Sequence, residues 1–89
     1  MEFENFVAYK YVRLSTDEFR FVKAFGSIIH KDLVQEGEIA ISAGLISIYP
    51  DKFSVIDTGS MTLKIYSSRP DDNTFIEKLT GKKWENPSF

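Results

Sequence analysis

Between residues 6 and 14 the alternating positions are apolar on both sides. Phe6, Ala8, Val12 and Leu14 fall on one face, and Val7, Tyr9 and Tyr11 on the other. A strand that is apolar on both faces belongs in the interior of a sheet. Lys10 lies on the first face. Either its stem packs there while the amine reaches water, or the cation sits at the floor of a pocket. Ser15-Thr16-Asp17 has turn chemistry. The segment 18–25 then alternates again, with Phe19, Phe21 and Phe25 opposite Glu18, Arg20, Val22 and Ala24. This predicts a second strand, hairpin-paired to the first. Ser15-x-x-Glu18 also fits a capping box that would start a helix, but the Phe alternation and Val22 favour the strand.

Gly26-Ser27 interrupts the alternation. Ile29 and Leu33 are four apart, Val34 is adjacent, and Gly37 offers a C-terminal stop. The spacing predicts a short helix over 28–36 with His30 in its first turn. The longest extended segment follows at 38–49. Ile39 and Ile41 alternate, then Ile46 and Ile48 take the opposite parity, so a bulge or a close backbone approach is expected at Ala43-Gly44. Tyr49-Pro50-Asp51-Lys52 reads as a turn, 53–57 as the returning strand, and Thr58-Gly59-Ser60 as the next reversal. Met61, Leu63 and Ile65 alternate in a further strand over 61–65. Ser68-Arg69-Pro70-Asp71-Asp72 announces a second helix, with Pro in its first turn and acids at its positive end. Phe75, Ile76 and Leu79 form its expected buried stripe, Gly81 ends it, and Lys82-Lys83 sit at its negative end. Trp84 is expected to fold back onto the core, and 85–89 form a tail.

The predicted order is β-β-α-β-β-β-α. That is an α+β domain with two helices and a mostly antiparallel sheet, whose core runs over about 6–81 of a single domain at 1–89. With 89 residues and 43% hydrophobic positions, fifteen per cent of all residues being aromatic, there is material for one core and no room for two. No repeat or low-complexity segment divides it.

Charge and special residues narrow the chemistry. The net charge is −2, and no basic block or stripe exists to serve nucleic acid. The chain has no cysteine, which removes disulfides, zinc fingers, Cys-ligated clusters and thiol catalysis. No apolar run approaches the roughly 20 residues of a membrane helix. Met1-Glu2-Phe3-Glu4 carries acids where a secretory leader needs positive charge, so a cytoplasmic protein is expected. No metal or cofactor is expected either: among possible ligands near the single His30, only Asp32 lies at a ligand-like spacing. No glycine-rich phosphate loop and no nucleophile elbow is present. His30 is left with two readings. It caps a helix or sits at the surface, or it is a base beside an anion held at the helix start.

Several short segments, taken in order, resemble the Janus/ocnus family of small metal-independent phosphohistidine phosphatases. They are Lys10-Tyr11-Val12 in the first strand, His30-Lys31-Asp32-Leu33 after the second, Gly44-Leu45-Ile46-Ser47 in the next, then Gly59-Ser60-Met61, and a closing helix. They span about residues 6–81, each two to four residues long, and their shared order carries the likeness. The resemblance implies a phosphohistidine-phosphatase-like fold with His30 as general base. It also implies the amides of Lys31 and Asp32 as phosphoryl donors, and Lys10 and Ser60 as pocket side chains.

The chain departs from the family pattern at Leu45, where the family has arginine, and near Lys23, where a second arginine is expected. Leucine supplies none of the planar fork that arginine offers phosphate. The chain is also shorter, and the family's final strand has little counterpart after Trp84. Two readings follow. One is a non-catalytic interaction or regulatory module, with a homodimer through an aromatic sheet face or a strand edge as its oligomeric form; Leu45 favours this one. The alternative is a phosphatase-like hydrolase or a binder of phosphate or a phosphorylated protein.

Overall fold

The two-faced apolar segment forms β1 (Val7–Leu14), a central strand with a neighbour on each side. The computed structural model describes residues 6–65 and 67–85. β2 (Phe19–Lys23) is the hairpin partner of β1, in the register Lys10 to Val22 and Tyr11 to Phe21. β3 (Ala40–Ile48) lies on the other side of β1, also antiparallel, pairing Lys10 with Leu45 and Tyr11 with Gly44. β4 (Lys52–Thr58) returns antiparallel to β3. Then α1 (Asp72–Thr80) crosses the sheet, and the short β5 (Lys83–Trp84) pairs parallel to β4. The sheet order is β2-β1-β3-β4-β5. It is a small mixed α+β domain, antiparallel except at its last edge.

The two faces of β1 carry separate cores. Tyr11, Ile46, Phe53 and Ile76 are buried together under α1, with Tyr9, Phe19, Phe21, Ile48 and Val55 packed around them. On the opposite face Val12, Leu14 and Ala43 are buried beneath Leu33, Val34, Ala40, Leu63 and Ile65. Each large buried side chain contributes about 1.5–3 kcal/mol relative to exposure, so a chain this short depends on both layers. One face is thus covered by a helix, and the other by irregular chain.

Several expectations are corrected. The helix over 28–36 is a single 3-10 turn, His30–Leu33. The Asp32 carboxylate accepts the Ile29 amide at 3.1 Å, and Val34 is already extended at φ −108° and ψ 120°. Leu33 and Val34 both pack on the Val12 cluster, and consecutive residues reach one surface more readily from a loop than from an α-helix. Among the described residues α1 is therefore the one α-helix.

The strand over 61–65 is a tight loop. The Ser60 and Ile65 amides and carbonyls exchange hydrogen bonds at 2.7 and 2.9 Å, the Lys64 amide donates to the Met61 carbonyl at 3.2 Å, and Lys64 has φ 57°. Leu63 and Ile65 reach the core, while Met61 is 92% exposed. Alternation there reports a loop with two inward side chains.

The parity change in β3 comes earlier than expected. Leu14 pairs with Ala40 and Arg13 with Ser42, leaving Ile41 as the extra residue. A second shift, between Leu45 and Ile46, leaves Ile56 extra on β4. The close approach at Gly44 is present: a Cβ there would lie 2.6 Å from Tyr11 Cε2 and 3.0 Å from the Asp57 carbonyl.

On α1, Ile76 is buried but Leu79 is 60% exposed; Phe75 stacks on Phe19 with ring centroids 5.6 Å apart. Gly81 ends the helix as expected, at φ 70°. Trp84 remains partly exposed and joins the sheet edge through its backbone, opposite Phe53. Of the expected tail at 85–89, Glu85 is held to β4, its amide donating to the Phe53 carbonyl and its carbonyl accepting from Ser54 Oγ, both at 2.9 Å, and residues 86–89 lie outside the described residues.

Candidate functional site

Inward-facing residues of β1, β3 and β4 set the floor of the site. Register places Lys10, Leu45 and Asp57 side by side in one cross-strand row. This row lies on the face covered by irregular chain. The 3-10 turn and the 58–62 loop rise at either end, and between them is a cavity of about 350 Å³. Lys10, Ile29, His30, Leu45, Asp57 and Ser60 line it, with the 58–62 loop and Ile65 closing the rest. Lys10, His30 and Ser60, separated by 20 and 30 positions in sequence, thus share one concavity.

His30 is held there by a specific contact. Its Nε2 lies 2.8 Å from the Gly44 carbonyl oxygen. A carbonyl only accepts, so Nε2 carries the proton and, in the neutral ring, Nδ1 keeps its lone pair. Gly44 is the residue that lets the strands approach closely at this point, with Tyr11 behind it. The carbonyl that orients the histidine therefore belongs to a backbone segment fixed from the helix side of the sheet.

The other polar groups are partly engaged. Lys10 Nζ donates to the Ile28 carbonyl at 2.8 Å, which ties β1 to the start of the turn and uses one of three ammonium protons. Ser60 is buried, and its hydroxyl exchanges a 3.0 Å hydrogen bond with Thr62 Oγ1. Asp57 Oδ1 accepts the Thr58 amide at 2.8 Å. Among the described residues no cation is paired with Asp57.

Lys31 and Asp32 do not line the cavity. The Asp32 amide already donates to the Ile29 carbonyl at 3.0 Å, and its carboxylate faces the Ile29 amide. A four-residue 3-10 turn gives no extended helix dipole, so side chains rather than a helix end define the local field. Among the described residues no cluster of three or more metal-type ligands exists.

The helix-covered face holds a second polar cluster that the sequence does not announce. Asp72 is 1% exposed and accepts from Tyr11 Oη at 2.7 Å, from Arg13 Nη1 at 3.0 Å and from Ser42 Oγ. Arg13, itself buried, also reaches Asp71 at 2.8 Å and Asp17 through Nε and Nη2. Its guanidinium lies 4.5 Å from the Phe75 ring centroid. Asp71-Asp72 had read as helix-start charge; Asp72 is in fact a buried acceptor.

Hydrogen bonds from Arg13 hold the Asp71 carboxyl below its ordinary range, against a smaller opposing effect of desolvation. Burial pushes the Tyr11 phenol well above its ordinary value, and Asp72 adds to this. No described buried side-chain nitrogen or oxygen lacks a partner. A closed, fully paired network of this kind is structural.

Arg20 fixes the covering chain from the strand side. It donates to the Leu33 carbonyl at 2.8 Å and to both Glu38 carboxylate oxygens, while the Gln35 amide donates to Glu38 as well. Arg20 first, and the Gln35 amide second, lower the Glu38 carboxyl pKa.

None of the family models, curated proteins or solved structures compared with this chain matches it. Among the described residues no helix is long and apolar enough to cross a membrane.

Proposed function

We propose that the chain is a divergent relative of the Janus/ocnus proteins whose cavity binds a phosphoryl group, with His30 set as the general base for its hydrolysis. The observation that carries this reading is the hydrogen bond from His30 Nε2 to the Gly44 carbonyl, in a cavity shared with Lys10 and Ser60. A carbonyl on one ring nitrogen fixes the tautomer and presents the other nitrogen as a base.

In this reading Lys10 and the Ser60 hydroxyl face the phosphoryl oxygens. His30 Nδ1 takes a proton from water as the water oxygen forms its bond to phosphorus. The bond from phosphorus to the leaving imidazole breaks, and the proton on His30 passes to that departing nitrogen. Positioning and charge supply most of the catalysis in such a transfer. No metal or cofactor takes part in this scheme.

The second reading, a non-catalytic interaction or regulatory module, is favoured by Leu45. It lies in the cavity floor between Lys10 and Asp57 and supplies neither charge nor donor. The two readings separate in one assay. Purified protein is incubated with a phosphohistidine peptide at about pH 6–8, where an ordinary imidazole titrates, with metal chelated and beside a folded His30→Ala variant. The hydrolase reading expects release of phosphate that the variant loses. Binding without release supports a phosphate binder, and neither binding nor release removes the phosphoryl reading and leaves the interaction module.

A further inference from the structure

The floor of the cavity holds opposite charges that do not neutralise one another. Lys10, Leu45 and Asp57 are consecutive members of one cross-strand row, so adjacent strands at about 4.8 Å separate the backbones of the cation and the anion by about 10 Å. The Lys10 ammonium is turned to the Ile28 carbonyl, and among the described residues the Asp57 carboxylate receives the neighbouring Thr58 amide and no other hydrogen bond. Between them stands Leu45, and Ile29 and Ile65 add apolar wall. A concavity that is positive at one end, apolar in the middle and negative at the other complements a dipolar ligand better than a simple anion. For a plain phosphate Asp57 is only repulsive; for a ligand with a cationic nitrogen it is a partner.

We infer that the ligand is a phosphorylated compound that also carries a cationic nitrogen, its phosphoryl group at Lys10, His30 and Ser60 and its nitrogen at Asp57. This rests on the phosphoryl-binding reading above and adds the second pole. Two sources share the chemistry: a small zwitterion such as an aminoalkyl phosphate, and a phosphorylated peptide with a basic side chain beside the modified residue.

Calorimetric titration compares ethyl phosphate with O-phosphoethanolamine, which differ by one ammonium group. It also compares phosphoserine peptides whose next residue is lysine or alanine. The intact protein is expected to bind the cationic member of at least one pair about fivefold more tightly, the size of a partly exposed ion pair, and the advantage should shrink as salt is raised. The pair with the larger ratio identifies the source. Asp57→Asn should weaken the cationic member and slightly strengthen the neutral-tailed one. A misfolded variant would weaken both, so this opposite movement isolates the role of Asp57. Equal affinity within both pairs overturns the inference and leaves the phosphoryl site standing. Absence of binding by every phosphate compound overturns both.

Discussion

The two faces of the sheet solve the problem of buried polar groups in opposite ways. Under α1, Tyr11, Arg13, Ser42 and Asp72 saturate one another, and aromatic rings seal them. On the other face, Lys10, His30, Asp57 and Ser60 surround open volume and keep spare hydrogen-bonding capacity. The covering layer explains the difference. A helix lays a continuous surface on the sheet and excludes water. The 3-10 turn, Val34 and the 60–65 loop pack apolar side chains on it at Leu33, Val34, Leu63 and Ile65, with His30 reaching the Gly44 carbonyl, and leave a gap between them. Pairing without remainder gives stability, while pairing with remainder gives a place for a ligand.

The contrast is broken most severely at Asp72. Asp72→Ala leaves the buried Arg13 guanidinium and the Tyr11 and Ser42 hydroxyls without their shared acceptor. It is expected to cost about 3–5 kcal/mol, read as a fall in the urea midpoint. A loss below about 1 kcal/mol, the size of an exposed ion pair, would mean that the network is not closed.

Gly44→Ala comes next. Its Cβ meets Tyr11 and the Asp57 carbonyl from the start, and overpacking of this kind costs about 1–3 kcal/mol. Because the same residue's carbonyl orients His30, the His30 ring signals should also move in an NMR spectrum. Unchanged signals would argue that the two faces are independent.

Tyr11→Phe keeps the ring and deletes one donor to Asp72. About 1 kcal/mol is expected by the same denaturation assay, with the phosphate affinity untouched.

The smallest expected effect is electrostatic. Asp71 and Glu38 have lowered carboxyl pKa values in the folded chain. The unfolded chain therefore binds more protons in the acid range. Their stabilisation is present above the ordinary carboxylate range and is lost as pH falls from that range through the lowered folded values. Urea midpoints should decline on acidification, and Glu38→Gln should flatten part of that decline. An unchanged slope would assign the acid sensitivity to other groups.

The strands were legible because alternation is a direct record of two-sided packing. The boundaries of β1, β2, β3 and β4 all fall within two residues of the expected segments. The helix over 28–36 rested on one pair, Ile29 and Leu33, and a single i, i+4 pair does not distinguish a helix from a loop with two inward side chains. Asp72 reads in the sequence only as helix-start charge, and nothing singles out Arg13, because charge in a sequence reads as exposure while the burial of these two depends on finding each other 59 positions apart. The ordered resemblance names His30, Lys10 and Ser60, and these three line one cavity. It does not name Asp57, whose place on the cavity floor depends on the register across three strands. The bulge at Ile56 sets that register on β4, and no local pattern encodes it.

The most direct test of the central contrast is an NMR titration of the uniformly ¹⁵N-labelled protein with inorganic phosphate. The account expects chemical-shift changes at His30, Ser60 and the 58–62 loop, with α1 and the Tyr11–Asp72 network silent, and loss of those changes in Lys10→Ala. Shifts confined to the shallow pocket that Lys78, Lys82 and Lys83 line at the C-terminal end of α1, or none at all, would contradict it.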